Sequence, residues 1–306
     1  MAEGLARMID QLRAGGFFVL EQAPFGARTT YRVGGAAAAG VEVASVEELE
    51  RLRDILSQGV AKIPLFVLGR GSNVLVADGG FPGLLITLGA GFSWLQQHDS
   101  QVELGGASPL PVMARRIAKL GLDGFTWAVG VPGSVGGAVR MNAGGHGHVL
   151  AETLQSALLV DLEADAPPTW QSAAALELEY RSSAVGASQV VIAARFAFEA
   201  GDPHELATQL SDIVAWRRAH QPGGQNAGSV FVNPERFPAA LLIEESGLKG
   251  HRYRSAAVSA KHANFIQADP QGSADDVFHL MQVVREHVAR RTGIELRSEV
   301  RLVGFS

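Results

Sequence analysis

Apolar positions along the chain keep two periods, and the switches between them mark out the elements. "GVEVASVEELERLRDILSQGVAKIPLFVLG" (40–69) reads as strand, helix, strand. Leu49, Leu52 and Leu56 recur at helical spacing, Ser45 with Glu48 forms a capping box, and Gly59 is expected to end the helix. Residues 73–78 and 83–88 are short β-type runs divided by a glycine- and proline-rich stretch, which predicts a hairpin-like connection. "PLPVMARRIAKLG" (109–121) is a short helix, and "VVIAARFAFEA" (190–200) is a strand. Gly201-Asp202-Pro203 then marks a boundary. Beyond it come an amphipathic helix over 204–220, a second over 237–250 closed by Gly247 or Gly250, and a β-like run over 258–269. A long helix follows over 273–293, capped by Ser273 with Asp276, striped by Val277, Leu280, Met281, Val284 and Val288, and ended by Gly293. "SEVRLVGF" (298–305) is a last strand, in which Glu299 is expected to face away from Val300 and Leu302. The order predicts an α+β fold: a glycine-rich domain to about residue 200, then a smaller α/β domain.

Composition narrows the function classes. The 306 residues are 47% hydrophobic and 19% charged, with a formal net charge of −5, so bulk charge gives no reason to expect a nucleic-acid partner. Cysteine is absent, which removes disulfides, thiolate metal sites and Cys nucleophiles and suits a reducing cytoplasm. The first sixteen residues carry charges through their apolar positions and do not read as a signal peptide, and no charge-free run approaches membrane-spanning length. The nine histidines form no H-E-x-x-H signature, so no metal is assigned.

The 36 glycines point to sharp turns or to backbone that approaches a ligand. In "VLGRGSNVLVAD" (67–78), Gly69, Gly71, Ser72 and Asn73 follow a strand directly, where amides can cradle a phosphate. An ordinary strand-to-strand turn has the same composition, and the segment is neither a Rossmann fingerprint nor a P-loop. In "GVPGSVGGAVRMNAGGHG" (130–147), Pro132-Gly133-Ser134 and Gly136-Gly137 expose more bare backbone; Ser134 lacks the flanking glycines of a nucleophile elbow. Two such segments, with Gly34-Gly35, suit a long ligand such as a dinucleotide. Arg181 in "YRSS" can clamp a carboxylate, though by itself the tetrapeptide fits an ordinary surface arginine better. Ser229 in "QNAGSVFVNP" sits after a flexible glycine at the edge of an apolar run, as turn chemistry or as a proton donor. His262 and Asn264 in "KHANF" read as polar core residues.

In series, "TTYRVGG", "GRGSNVLVAD", "GVPGSVGGAVRMNAG", "YRSS", "NAGSVFVNP", "LIEESGLKG", "VSAKHANF" and "SEVRLVG" resemble the UDP-N-acetylenolpyruvoylglucosamine reductases, flavoenzymes of peptidoglycan synthesis, from about residue 25 to 304. The resemblance implies non-covalent FAD in a domain of the vanillyl-alcohol-oxidase/PCMH type over 1–200, with two subdomains split near 90. It also implies a substrate-binding domain over 201–298, and a C-terminal strand over 299–306 that returns toward the FAD domain. It implies NADPH as hydride donor, a UDP-sugar enolpyruvate substrate, a cytoplasmic monomer, and no nucleic-acid or membrane partner. Carried over motif by motif, Ser229 is the proton donor, with Arg181 and Glu299 as its active-site partners. Gly69, Gly71, Ser72 and Asn73 hold the FAD diphosphate. Gly130, Pro132, Gly133, Ser134, Gly136 and Gly137 are further flavin contacts, and Arg217 and Asn233 are substrate contacts.

The chain departs from the family pattern in places. Val232 stands where many members have lysine, "GHRYRSAAVS" lacks a common glycine pair, and "NAGGHGH" replaces "NAGAYG". No segment matches the extra tyrosine-bearing loop of one variety, so the chain reads as the shorter one. Another FAD-dependent sugar or alcohol oxidoreductase of the same fold, and a non-catalytic paralogue that binds FAD or a UDP-sugar, are the competing readings.

Overall fold

The computed structural model describes residues 2–58 and 63–305; Gly59, expected to end the second helix, lies outside them. Among the described residues there are seven α-helices with strands between them, an α+β fold. The chain divides into two compact units, each assembled from separate stretches: Met1–Ala23, Ala38–Arg70 and Gly83–Ala215 in the first, Pro24–Ala37, Gly71–Pro82 and Trp216–Ser306 in the second. No helix among the described residues is long and apolar enough to cross a membrane.

The first unit contains two sheets. One orders its strands Leu20–Pro24, Ala36–Val43, Phe81–Leu88 and Leu65–Leu68, the last two parallel with Leu65 opposite Leu84. Helices α1 (Ala2–Ala14) and α2 (Val46–Ser57) contribute to its core with Met8, Leu12, Leu49 and Leu52, beside Leu84 and Ile86. Ser45 caps α2, its hydroxyl accepting from Glu48 N at 3.3 Å. The Glu48 carboxylate reaches back to Ala44 N at 2.7 Å, one residue beyond the usual box partner, the N-cap amide of Ser45. The sequence analysis assigns no element to α1, yet Met8, Ile9 and Leu12 recur at helical spacing and bury one face.

The other sheet is antiparallel, in the order Thr169–Ser172, Leu154–Asp161, Gln189–Ala197, Gln101–Gly105 and Leu95–His98. Helices α3 (Leu110–Lys119) and α4 (Val135–Met141) share a core with it, through Leu110, Met113, Ile117, Val135, Trp127 and Phe196. Leu206 and Leu210 of α5 (Pro203–His220) join this core.

In the second unit, α6 (Ala239–Glu245) and α7 (Ala274–Thr292) pack with a small antiparallel sheet of Arg252–Tyr253, Ala256–Val258 and Ile266–Ala268. The stripe read along α7 is buried as a set. Ser273 Oγ accepts from Asp276 N at 3.1 Å, and Gly293 at φ 71° closes the helix. A second carboxylate, Asp78, accepts from Ala274 N at 2.9 Å, where the helix end favours negative charge. Tyr31, Val33 and Leu75 lie in the same core. That explains why 24–37 and 71–82 belong with this unit, although a linear reading leaves them in an unbroken first domain.

Two expectations change. Val74–Val76 does not form a hairpin with Phe81–Leu88; it pairs in parallel with Arg301–Val303. The last strand is only those three residues. Val300 sits at a bend, so the alternation slips: Val300 and Val303 are buried and Leu302 is exposed.

Candidate active site

A cavity of about 190 Å³ opens in the first unit, lined by Gly69, Arg70, Gly106, Ser134, Gly136, Gly137 and Arg140, among others. Bare backbone is a packing requirement at most of these glycines. A Cβ on Gly69 would run into Ser134 Oγ, and one on Gly106 into the Val191 carbonyl. Gly137 differs: it is exposed, and a Cβ there would meet only Ser134 Oγ at an ordinary 3.4 Å. Packing therefore does not require its bareness, and it lines the cavity.

Residues 135–141, expected from sequence to be turns, form α4. Ser134 caps it, its Oγ accepting from Gly137 N at 3.3 Å. Val135 N and Gly136 N donate to Ser108 O and Gly106 O, so the first amides of this helix are already engaged. Gly130 ends a 3-10 turn, Thr126–Gly130, and Gly133 O accepts from Leu110 N at 3.0 Å. Together with exposed Pro132 they support the segment and do not line the cavity.

The turn after Leu65–Leu68 is the complement. Among the described residues, the amides of Arg70, Gly71, Ser72 and Asn73 donate no hydrogen bond. Four undonated amides in succession, with Gly71 at φ 64°, fit an anionic group such as a diphosphate. Gly71 also has an internal reason to be glycine, since a Cβ would lie 2.7 Å from Thr29 Cα. Asn73 uses its side chain within the fold: Nδ2 donates to Glu299 O at 2.9 Å, and its carbonyl accepts from Arg301 N at 3.0 Å.

Arg181 lies in the first unit on a turn closed by Glu179 and Ser182. Its backbone is left-handed, φ 56°, a conformation that costs a non-glycine residue about 1–3 kcal/mol. Neighbours hold it there. Asn142 Nδ2 donates to Glu179 O at 2.9 Å, and Ser183 Oγ donates to Arg140 O at 2.8 Å. The Arg181 guanidinium donates to Gly144 O at 3.1 Å and lies 5.1 Å from the centre of the Tyr180 ring.

In the second unit the backbone of Glu299 pairs with that of Val230, the residue after Ser229. Gly228, at φ 76°, turns the chain into Ser229, and its amide donates to Asn226 Oδ1 at 3.0 Å. Residues 230–232 form no regular strand, yet both edges are held. On one side Glu299 N donates to Val230 O at 2.8 Å and Val232 N to Arg297 O at 2.9 Å. On the other, Val230 N donates to Asn264 O at 2.8 Å, and the Asn264 side chain bonds Phe231 N and O. Ser229 therefore stands on a rigid segment, half-buried, with the backbone of Glu299 alongside its neighbour. Sequence reasoning took Asn264 only for a polar core residue; a buried amide in "KHANF" was the available signal.

Arg217 lies in the last turn of α5, where burial pulls the guanidinium's pKa down, so an anion would be welcome there. Asn233 is exposed and caps α6, its Oδ1 accepting from Ala239 N at 3.0 Å. Among the described residues no group of three or more His, Asp or Glu side chains could hold a metal.

The comparisons divide as the glycine-rich and C-terminal parts do. Residues 37–165 match the family model described as an FAD binding domain, and residues 220–303 match that of the UDP-N-acetylenolpyruvoylglucosamine reductase C-terminal domain. A curated UDP-N-acetylenolpyruvoylglucosamine reductase from Synechococcus sp. (strain CC9311) is 41% identical over 293 residues, covering 93% of each chain. One from Anoxybacillus flavithermus is 36% identical, covering 94% of each. The crystal structure of the UDP-N-acetylenolpyruvylglucosamine reductase from Thermus caldophilus superposes with a TM-score of 0.79 at 31% identity, over 94% of this chain and 98% of that one. Similarity at this level runs through both domain models and nearly the whole length, and the chain belongs to the UDP-N-acetylenolpyruvoylglucosamine reductase family.

Proposed function

We propose that Ser229, Arg181 and Glu299 carry the proton and charge chemistry of enolpyruvyl reduction in this chain. The chain is an FAD-dependent oxidoreductase that reduces the enolpyruvyl group of UDP-N-acetylglucosamine enolpyruvate to give UDP-N-acetylmuramate for peptidoglycan synthesis. FAD, when bound and reduced by NADPH, supplies the hydride that reaches the terminal carbon of the double bond. The undonated amides of 70–73 suit its diphosphate, and Gly69, Ser134, Gly136 and Gly137 suit its approach through the cavity. Gly130, Pro132 and Gly133, just before that lining in the chain, are further flavin contacts in this reading.

The protein's own task is the other half of the addition. Hydride transfer leaves negative charge on the adjacent carbon and its carboxylate. The Arg181 guanidinium stabilises that carboxylate. The Ser229 O–H bond breaks as the new C–H bond forms, and the serine oxygen then regains a proton from solvent or through Glu299. A hydroxyl is a weak acid in water, so the role depends on a fixed, short transfer. The observation that carries this reading is the two-sided hydrogen bonding of 230–232, which fixes the backbone next to Ser229. Arg217 and Asn233 bind the UDP-sugar. Residues 1–200 act as the flavin domain and 201–298 as the substrate domain, with 299–306 returning to the former; the strand that Arg301–Val303 pairs with, Val74–Val76, falls within 1–200 in sequence but belongs to the second compact unit. The enzyme works as a cytoplasmic monomer, and wall synthesis ties it to cell shape and division.

Ser229→Ala tests the assignment. It removes one oxygen and almost no volume, so a structural hydroxyl would cost only about 1 kcal/mol of stability. As proton donor, its loss leaves flavin reduction by NADPH intact and slows reoxidation by the enolpyruvyl substrate by about 10²–10⁴-fold in stopped-flow. Ser229→Cys, which can still donate a proton, retains more activity than alanine. Near wild-type reoxidation in the alanine variant would move the proton source elsewhere.

A further inference from the structure

We infer that Asn264 is a positioning residue for the proton step: its side-chain amide stands in for a missing neighbouring strand and aims the segment that carries Ser229. This inference rests on Ser229 being the proton donor. Asn264 Oδ1 accepts from Phe231 N at 3.0 Å while Nδ2 donates to Phe231 O at 2.8 Å, so one amide satisfies both backbone groups of one residue. The pairing also fixes the amide's orientation, because flipping it would set Nδ2 against an N–H and Oδ1 against a carbonyl. The Asn264 carbonyl adds a third bond, from Val230 N at 2.8 Å. Asn264 is buried, 3% exposed, so no water competes freely for these groups.

The fork is itself held. Ser259 N donates to Phe265 O at 2.8 Å and Phe265 N to His262 O at 3.0 Å. Buried Ser259 Oγ accepts from Lys261 N at 3.1 Å. Asn264 N donates to His262 Nδ1 at 3.3 Å. Across 230–232, the opposite edge takes Glu299 N and offers Val232 N to Arg297. One side chain thus sets the alignment of the Ser229 hydroxyl's backbone and of the stretch carrying Glu299. No other side chain of this size reproduces it. Leucine offers no bond; aspartate keeps the bond to Phe231 N and turns a charged oxygen on the Phe231 carbonyl.

The test uses the FAD-loaded protein, reduced anaerobically with NADPH and mixed with the enolpyruvyl substrate. In Asn264→Asp, flavin reduction stays within about twofold of wild type while reoxidation falls about 10–100-fold, the penalty of misplacing a reacting group by a fraction of an ångström. The solvent deuterium isotope effect on reoxidation rises, because proton transfer becomes slower relative to the other steps. In a Ser229→Ala background the same substitution adds no further loss. Equal damage to both half-reactions, or an undiminished loss in the Ser229→Ala background, overturns the positioning role. If Ser229→Ala alone reoxidises at the wild-type rate, the failure lies instead in the proton-donor reading. Should Asn264→Asp not fold with flavin, Asn264→Ala carries the same comparison: it opens space for water and keeps the backbone bond to Val230, and it should show the same selective loss of reoxidation. Reoxidation at the wild-type rate in Asn264→Ala overturns the inference.

Discussion

At the scale of single residues, the groups around the 230–232 segment are tuned by burial as much as by partners. His262 is half-buried, and desolvation pulls its pKa below the ordinary imidazole value, helped by Lys249 and opposed by its own backbone and Glu244. Its Nδ1 serves as acceptor for Asn264 N, a role open only to the neutral ring. The sign follows. The unfolded chain takes up a proton near the ordinary value of 6.5, while the folded chain resists until lower pH. The stability that His262 contributes is present above that value and is lost as pH falls through the interval below it. We expect the thermal midpoint to drop as pH falls below the ordinary imidazole value of 6.5, and His262→Asn, whose Oδ1 can take the place of Nδ1, to flatten that part of the profile. Identical profiles for the two proteins would mean that other groups control the acid limb.

At the scale of elements, the glycines of the cavity segments divide into those whose bare backbone the packing requires and those with room for a side chain, and α4 makes the distinction measurable. Gly137 is helical, exposed and open to a side chain. Glycine to leucine within a helix gains about 1 kcal/mol of propensity, so Gly137→Leu should hold or raise the thermal midpoint. The same side chain projects into the cavity, and the purified variant should carry far less flavin, read from its visible absorbance after denaturation. Full flavin content would place the cofactor away from α4. Gly71 is the contrasting case. Its positive φ and the Thr29 backbone 2.7 Å from a Cβ mean that Gly71→Val damages the fold as well as the turn, so its loss of flavin would say little about contact with the diphosphate.

At the scale of the whole molecule, neither unit is a continuous length of chain. The second unit's core includes Tyr31, Val33 and Leu75 together with the apolar faces of α6 and α7. Val74–Val76 finds its strand partner in Arg301–Val303. A fragment spanning 216–306 lacks those three side chains and the strand partner. Its remaining small core should leave it without a cooperative transition when melted and followed by far-ultraviolet circular dichroism. A sharp melt in the isolated fragment would show that the inserted stretches are dispensable.

The sequence by itself determined the elements whose physics is local. α7 was legible from end to end, because its cap, its stripe and its closing glycine are set by neighbours within a few residues. The strand–helix–strand of 36–68 was legible for the same reason, as was the glycine-rich turn that follows it. What depended on distant partners was not. The pairing of 74–76 with 301–303, the slip at Val300 and the use of Asn73 on Glu299 join residues more than two hundred apart, and no local period encodes them. α4 hid behind its glycines, whose poor helix propensity is overridden by burial of Val135, Ala138 and Val139 and by the Ser134 cap. The role of Asn264 was equally invisible: an amide becomes a surrogate strand only when the fold sets Phe231 opposite it, 33 residues back along the chain.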